Sequence, residues 1–197
     1  MKLIKYPDRS QWDEILKRPV LNTESLFDTV RDIINRVRVG GDRTVMEYEA
    51  MFDKAELTSL AVTLEEIEEA EKEVPIELKA AIYLAKRNIE AFHAAQRFEG
   101  KKVDTMEGVT CWQKAVAIEK VGLYIPGGTA PLFSTVLMLA IPAKIAGCKE
   151  IVLCTPPDKN GKVHPAILFA AHLAGVSKIL KVGGVQAIAS MAYGTES

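Results

Sequence analysis

Apolar residues in about the first hundred positions recur every three to four residues, the spacing of helices that bury one face. The first helix is predicted to follow a cap at Asn22 or Thr23 and to stop at Gly40-Gly41, because glycine ends helices. Asp42 can cap a second helix. The inward positions are Leu26, Phe27, Val30, Ile33, Ile34 and Val37 in the first helix and Val45, Tyr48 and Phe52 in the second.

Two further helices are predicted in the same region. Thr63-Leu-Glu-Glu66 has the form of a capping box, in which a threonine and a glutamate side chain each satisfy a backbone N–H. Pro75 suits the first turn of a longer helix that runs to about Arg97, because proline has no N–H to leave unsatisfied there. The stripe of this helix is Leu78, Ile82, Ala85, Ile89 and Phe92. Charged residues between the stripes predict a solvated face.

From about residue 109 the pattern changes to alternating strands and helices. Residues 109–118 predict a strand or an extended pair. Apolar runs then cover residues 121–125, 151–154 and 179–182, and helices between them cover residues 131–146 and 165–174, closed by Gly147 and Gly175. The runs begin about 30 residues apart, the length of a βαβ unit. Continuous apolar strands between helices predict an α/β fold with a parallel, doubly wound sheet.

Two of these strands run into a glycine pair before a helix, Gly127-Gly128 after the first and Gly183-Gly184 after the third. Glycine adopts positive φ and lets a ligand approach the backbone. The N–H groups at a helix start have no intrahelical partner and attract anions. Because the carboxyl ends of parallel strands meet at one edge of a sheet, the pattern predicts a crevice for a phosphate-bearing ligand there.

The usual nucleotide and catalytic fingerprints are absent. The first turn reads Pro126-Gly-Gly-Thr-Ala-Pro131 rather than Gly-x-Gly-x-x-Gly, and the second strand ends at Cys154-Thr-Pro156 without an acidic residue for a ribose. The three histidines lack zinc-ligand spacing, and no nucleophile elbow surrounds Ser134. Residue spacing therefore predicts a ligand-binding surface with no catalytic residue and no metal ligand.

Composition limits the classes of function. The 197-residue chain has 48% hydrophobic and 26% charged residues and a formal net charge of −1, which predicts a globular protein without nucleic-acid or membrane partners. The first residues lack the apolar stretch of a secretory signal. Cys111, Cys148 and Cys154 are too scattered for a disulfide framework. These features predict a reduced, cytoplasmic protein.

Three stretches of the chain resemble histidinol dehydrogenase. They are residues 112–138, which include Tyr124-Ile-Pro-Gly-Gly128; residues 182–197, which begin Val182-Gly-Gly-Val-Gln186; and Val37-Arg-Val-Gly-Gly-Asp-Arg-Thr-Val45. Together they reach across nearly the whole chain. The resemblance implies oxidation of L-histidinol to L-histidine, the last step of histidine biosynthesis. It also implies that the oxidation takes two NAD-dependent steps through an aldehyde, with a zinc ion that helps hold the substrate.

The same resemblance implies a homodimer whose subunits contain two incomplete Rossmann-like domains. It divides the chain into an N-terminal arm (1–20), a mainly helical part of a first domain (21–119) and a second domain with an incomplete parallel βαβαβ sheet (120–197). It implies that Tyr124 and Gln186 contact NAD and that Gly127 and Gly128 let the backbone approach it. A tyrosine offers a ring face and a hydroxyl, and a glutamine offers both a donor and an acceptor.

Members of this family are considerably longer than this chain. The resemblance places a further NAD-contacting segment, the zinc ligands and a proton-moving glutamate–histidine pair after Ser197. We therefore expect an inactive fragment whose exposed apolar surface favours self-association. Two alternatives remain, a standalone nucleotide-binding or regulatory α/β module and a protein similar to aldehyde dehydrogenases. The latter needs a nucleophilic cysteine in a loop, and none of the three cysteines fits that role.

Overall fold

A parallel three-stranded sheet lies at the centre of the computed structural model, which describes residues 3–18, 23–128 and 130–197. The strands are β1 (Lys102–Met106), β2 (Val109–Trp112), β3 (Lys120–Tyr124), β4 (Glu150–Thr155) and β5 (Lys178–Lys181). The helices are α1 (Trp12–Ile15), α2 (Glu24–Phe52), α3 (Leu64–Glu73), α4 (Ile76–Ala94), α5 (Phe133–Ala146), α6 (Pro165–Ala174) and α7 (Gly184–Tyr193), with a 3₁₀ turn at Arg9–Gln11 before α1.

The central sheet has the strand order β3-β4-β5, with all three strands parallel. The helices α5 and α6 connect successive strands, and each ends at a left-handed glycine, Gly147 or Gly175. The predicted α/β fold with a parallel βαβαβ sheet is therefore confirmed. The start of α5 differs by two residues from the prediction, because Phe133 and not residue 131 begins the helix.

Successive side chains of β4 point to opposite faces, so the sheet is buried on both sides. Leu153 packs into a core with residues of α3, α4, α5 and α6, whereas the next residue, Cys154, packs into a second core with α2 and α7. The helix pairs α2–α7, α3–α6 and α4–α5 are in contact. Both cores therefore contain residues from before and after residue 119, which is the predicted boundary between the two domains. The division into the ranges 1–20, 21–119 and 120–197 stays a prediction.

The long helix α2 is interrupted at Gly41, whose φ of 53° and ψ of −146° are not helical. This confirms that the glycine pair ends one helix and that another follows. The predicted inward stripe was too long, because Leu26 and Phe27 are exposed and the core shared with α7 begins only at Ile33. Thr23 precedes the helix without a side-chain cap, and the alternative cap, Asn22, lies outside the described residues.

Beyond the interruption, the second half of α2 is capped by a residue far away in sequence. The Asp42 N–H donates to Glu196 Oε2 at 2.8 Å, and the Asp42 carboxylate accepts a hydrogen bond from the Ser197 hydroxyl. The predicted Asp42 cap is therefore corrected to a Glu196 cap. Tyr48 is buried as predicted, but Phe52 is exposed and stacks on Tyr48.

The two following helices begin as predicted. The Thr63 hydroxyl accepts from the Glu66 N–H at 3.2 Å, and the Thr63 N–H donates to Glu66 Oε2 at 2.9 Å, which is a complete capping box. Pro75 precedes α4, which ends at Ala94. The predicted stripe of α4 packs into the first core except for Phe92, which is exposed near the end of the helix.

A solvent-exposed hairpin replaces the extended segment predicted at residues 109–118. Only Val109–Trp112 is a strand, and it pairs antiparallel with Lys102–Met106. The first strand of this pair escaped prediction because its five residues do not alternate strictly between polar and apolar, and none of them is buried.

The segment between α2 and α3 joins the helical half of the chain to the sheet. The Val62 N–H donates to the Ile179 carbonyl at 3.0 Å, and the Lys181 N–H donates to the Leu60 carbonyl at 2.8 Å. Ala61 forms an isolated antiparallel bridge with Leu180. The open edge of β5 is thus partly covered by backbone from the first half. Among the described helices, none is both long and apolar enough to cross a membrane.

Candidate functional site

The carboxyl ends of β3 and β4 open into a cleft of about 740 Å³. Tyr124, the last residue of β3, lines it together with Gly127 and Gly128, and Thr155 and Pro156 line it from the end of β4. Residues of α3 and of the loop before α6 also border the space. The cleft has the size typical of small-molecule sites and lies at the edge of the sheet where the strand pattern predicts one.

The first glycine pair brings open backbone to the cleft. Gly128 has a φ of 148°, which favours glycine, and a Cβ atom there would meet nothing within 4 Å. Gly127 lies so close to Pro156 that a Cβ atom would be 2.5 Å from Pro156 Cγ. A short loop separates this pair from Phe133 at the start of α5, so the helix does not follow the glycines directly as predicted.

The second glycine pair is held by protein side chains. The Gly183 N–H donates to Glu49 Oε1 at 3.1 Å, and the Gly184 N–H donates to the Tyr124 hydroxyl at 3.0 Å. Gly183 precedes α7, so these two N–H groups are among those at the helix start that the sequence analysis assigned to an anion. Both N–H groups therefore have protein partners, and the anion-binding role predicted for this turn stays a prediction.

Gln186 occupies a different place from the other three predicted site residues. Its side chain is 1% exposed, and its Nε2 donates to Glu49 Oε1 at 2.9 Å. Tyr124, Gly127 and Gly128 border the cleft, whereas Gln186 lies in the interior next to α2. The structure thus brings Tyr124, Gly127 and Gly128 together at the cleft, whereas Gln186 is buried beside the second glycine turn.

Glu49 is the residue that sequence reasoning missed. It lies on the inward side of α2 beside Tyr48, and both side chains are buried. Burial raises the pKa of Glu49 to about 7; the bonds from Gln186 and Gly183 oppose this rise and the nearby Asp53 adds to it. The sequence signal was a glutamate adjacent to the apolar stripe, which is far more often a solvated surface charge.

Charge around the cleft is mainly negative. Acidic side chains lining it are Asp53, Glu66, Glu69, Glu73 and Asp158, and basic or titratable ones are Lys162 and His164. Glu66 Oε1 accepts from Lys181 Nζ at 2.6 Å, and this ion pair ties α3 to the end of β5. These acidic side chains form an acidic wall of the cleft. A phosphate group placed directly against this wall would be repelled, whereas the hydroxyl groups of a ligand would find hydrogen-bond acceptors there.

The histidine and cysteine near the cleft, His164 and Cys154, have structural roles. The His164 Nδ1 accepts from the Ala166 N–H at 3.2 Å and so caps α6, as a helix-entry residue does. Burial, followed by the Glu49 charge, raises the pKa of Cys154 to about 12, so this thiol is a poor nucleophile. Within the described ranges, no group of three or more His, Cys, Asp and Glu side chains is placed to hold a metal ion.

Comparison with known proteins gives the family. The sequence model of the histidinol dehydrogenase family matches residues 16–197, so the chain belongs to this family. A protein named histidinol dehydrogenase from Bacteroides fragilis is 92% identical over 197 residues, which are all of this chain and 46% of that protein. Its namesake from Escherichia coli K12 is 50% identical over 188 residues, which are 95% of this chain and 42% of that protein.

The fold agrees with a solved relative. The crystal structure of histidinol dehydrogenase from Elizabethkingia anophelis matches with a TM-score of 0.92 at 48% identity, covering 96% of this chain and 44% of that one. The chain therefore spans somewhat less than half the length of the relatives that it matches.

Proposed function

We propose that this chain carries a cofactor-binding part of an NAD-dependent enzyme that oxidises L-histidinol to L-histidine through the aldehyde, the last step of histidine biosynthesis. The observation that carries the proposal is the cleft formed by Tyr124 and Gly127-Gly128, within a chain whose relatives are named histidinol dehydrogenase. Each oxidation step needs a base to accept a proton while hydride passes to the nicotinamide.

The residues that border the cleft fit NAD in three respects. Tyr124 presents part of its ring at the end of β3, and its hydroxyl is positioned by the Gly184 N–H. The open backbone at Gly128 allows a ligand to approach the main chain. The acidic wall that includes Glu69 and Glu73 offers acceptors to ribose hydroxyls. The NAD contact of Gln186 stays part of the proposal, and its buried side chain donates to Glu49 beside the second glycine turn.

Zinc and catalytic residues belong to a separate part of the proposal. Among the described residues, no cluster of His, Cys, Asp and Glu side chains is placed to hold a metal ion. We propose that the chain alone does not turn over, and the support is that it spans 46% of its Bacteroides relative. Zinc in the family would help hold the substrate.

Self-association and a cytoplasmic location complete the proposal. Self-association is supported by exposed apolar side chains, among them Trp112, Val116 and Ile118. The cytoplasmic location stays a prediction from composition.

NAD binding to the purified chain, measured by calorimetry, tests the cofactor assignment. We expect measurable binding, with NADP weaker because its additional phosphate meets the acidic wall. Tyr124→Phe should weaken NAD binding about fivefold, because the Gly184 N–H loses its acceptor. Tyr83→Phe, on the exposed face of α4, is the matched control and should bind as the unaltered chain does.

The same samples with L-histidinol, NAD and zinc test the inactivity of the chain alone. We expect no NADH. Turnover that a chelator abolishes would show that a complete site lies within these residues, and absence of NAD binding would overturn the cofactor assignment.

A further inference from the structure

Glu49 is the one acidic side chain of the described residues that is fully buried. Its Oε1 accepts two hydrogen bonds, from the Gly183 N–H at 3.1 Å and from Gln186 Nε2 at 2.9 Å. Its Oε2 is also buried and has no hydrogen-bond partner. A carboxyl group in this position is unusual enough to need an explanation, because buried polar atoms are nearly always satisfied.

The partners of Glu49 belong to a turn that is hydrogen-bonded to Tyr124, and Tyr124 borders the proposed cofactor site. Gly183 and Gly184 connect β5 to α7, and the Gly184 N–H is held by the Tyr124 hydroxyl at 3.0 Å. One side chain from α2 and one from β3 therefore hold the two successive N–H groups of the turn. Asp53, one helical turn after Glu49, borders the cleft, and its Oδ2 would be 3.1 Å from a Cβ atom on Gly183.

We propose that Glu49 is the positioning residue of the second glycine turn and that it acts as a neutral acid, with the proton on Oε2. Oε1 then fixes the Gly183 N–H and the Gln186 amide, and this arrangement sets the turn against which the Tyr124 hydroxyl is held. Glu49 itself touches no ligand. The consequence for the cofactor rests on the proposed NAD site, whereas the effect on the turn does not.

The surroundings favour a retained proton. An ionised carboxyl group with one oxygen buried and unpartnered is unfavourable, and burial is the main cause that raises the pKa of Glu49 to about 7. The groups packed around it are Asp53, directly after α2, whose carboxyl raises the pKa of Glu49 further, and Cys154 of β4. The ammonium of Lys181 in β5 is paired with Glu66.

A definite pH dependence follows from this arrangement. The pKa of Glu49 is 4.5 in its ordinary state and about 7 in the folded chain, so the folded chain keeps a proton that the unfolded chain has released. The stabilising contribution is complete below about pH 4.5 and is lost as the pH rises through about 7. Stability should therefore fall with rising pH across this interval.

Three variants test the proposal. Glu49→Gln keeps the Oε1 acceptor and replaces the protonated oxygen with an amide, so it mimics the neutral acid permanently. Glu49→Ala removes both oxygens. Glu56→Gln changes an exposed carboxylate just after α2 and is the matched control. The readouts are the urea midpoint from about pH 5 to about pH 8 and the amide exchange of Gly183 by NMR.

The unaltered chain and Glu56→Gln should lose stability as the pH rises, and Glu49→Gln should lack this loss. Exchange at Gly183 should be about tenfold faster in Glu49→Ala and unchanged in Glu49→Gln. Equal pH profiles for the unaltered chain and Glu49→Gln would overturn the proposal, and so would faster exchange in Glu49→Gln. Should Glu49→Ala fail to fold, the Glu49→Gln comparison decides.

NAD affinity separates this proposal from the proposed function. If the unaltered chain binds NAD, Glu49→Gln should keep its affinity, and Glu49→Ala, if folded, should lose about tenfold. A chain that binds no NAD contradicts the cofactor assignment, while the exchange and pH profiles still decide the role of Glu49.

Discussion

At the scale of single residues, the polar groups near the cleft are joined in pairs across long stretches of sequence. Glu66 Oε2 completes the capping box of α3, while its Oε1 binds Lys181 at 2.6 Å. These side chains are 25% and 11% exposed, so the pair is largely removed from solvent. One carboxylate therefore fixes both the start of α3 and its position against β5, and with it the acidic wall of the cleft.

Replacing Lys181 tests the contribution of this ion pair. Lys181→Met keeps most of the aliphatic length but leaves Glu66 without its partner, and we expect a loss of about 2 kcal/mol in the free energy of unfolding. The control is Lys149→Met, because Lys149 and Glu119 form a pair at 3.4 Å with side chains 79% and 76% exposed. Its loss should stay below about 0.5 kcal/mol. Urea unfolding measures both, and equal losses would contradict the assigned importance of burial.

At the scale of elements, the interruption of α2 allows one helix to serve two purposes. Its first half contributes Ile33 and Val37 to the core with α7. Its second half carries Glu49 to the glycine turn, and Glu196 accepts the N–H that the interruption frees at Asp42. A helix that continued straight through Gly41 would satisfy this N–H internally and would remove the need for Glu196.

A substitution at Gly41 tests the interruption. Gly41→Ala places a Cβ atom at φ 53° and against the Glu196 carboxylate, so it adds backbone strain and disturbs the Glu196 cap. We expect a loss of about 2 kcal/mol in the free energy of unfolding. Gly108→Ala, at φ 78° with nothing within 4 Å of the added atom, carries the strain alone and should lose about 1 kcal/mol. Thermal and urea unfolding compare them, and a Gly41→Ala chain no less stable than Gly108→Ala would contradict a role for Glu196.

At the scale of the whole molecule, several exposed apolar side chains lie in and around the β1–β2 hairpin. Phe98, Trp112, Val116 and Ile118 border one recess of about 620 Å³ beside the end of α5. Val116 and Ile118 are 76% and 71% exposed. Neighbouring exposed apolar side chains of this kind favour contact with another protein surface, and the simplest available partner is a second copy of the chain.

Light scattering coupled to size exclusion tests this proposal. The mean mass should rise with protein concentration, and replacing Val116 and Ile118 together by Thr should lower it toward that of the single chain. Leu64→Gln changes an exposed apolar residue on α3 that does not border this recess, so it should leave the mass unchanged and serves as the control. A single-chain mass for the unaltered protein at high concentration would overturn the proposed self-association.

Several features were predictable because neighbours in sequence determine them. The Thr63–Glu66 capping box and the left-handed glycines after α5 and α6 depend on residues a few positions apart. The βαβαβ order follows from apolar runs long enough to be buried on both faces. The family was also identifiable, because its motifs around Tyr124 and Gln186 are continuous stretches of sequence.

The amino-acid sequence by itself thus determined the three parallel strands, the main helices, the family and the edge of the sheet where the cleft lies. Only the tertiary structure decided that Glu49 is buried, because its partners Gly183 and Gln186 follow it by 134 and 137 residues. It also decided that Gln186 is buried beside the second glycine turn. Likewise, it decided that Glu196 caps the second half of α2, 154 residues away from the Asp42 N–H. Helical periodicity specifies which face of a helix is inward, but the partner that meets a polar side chain there depends on packing between distant elements.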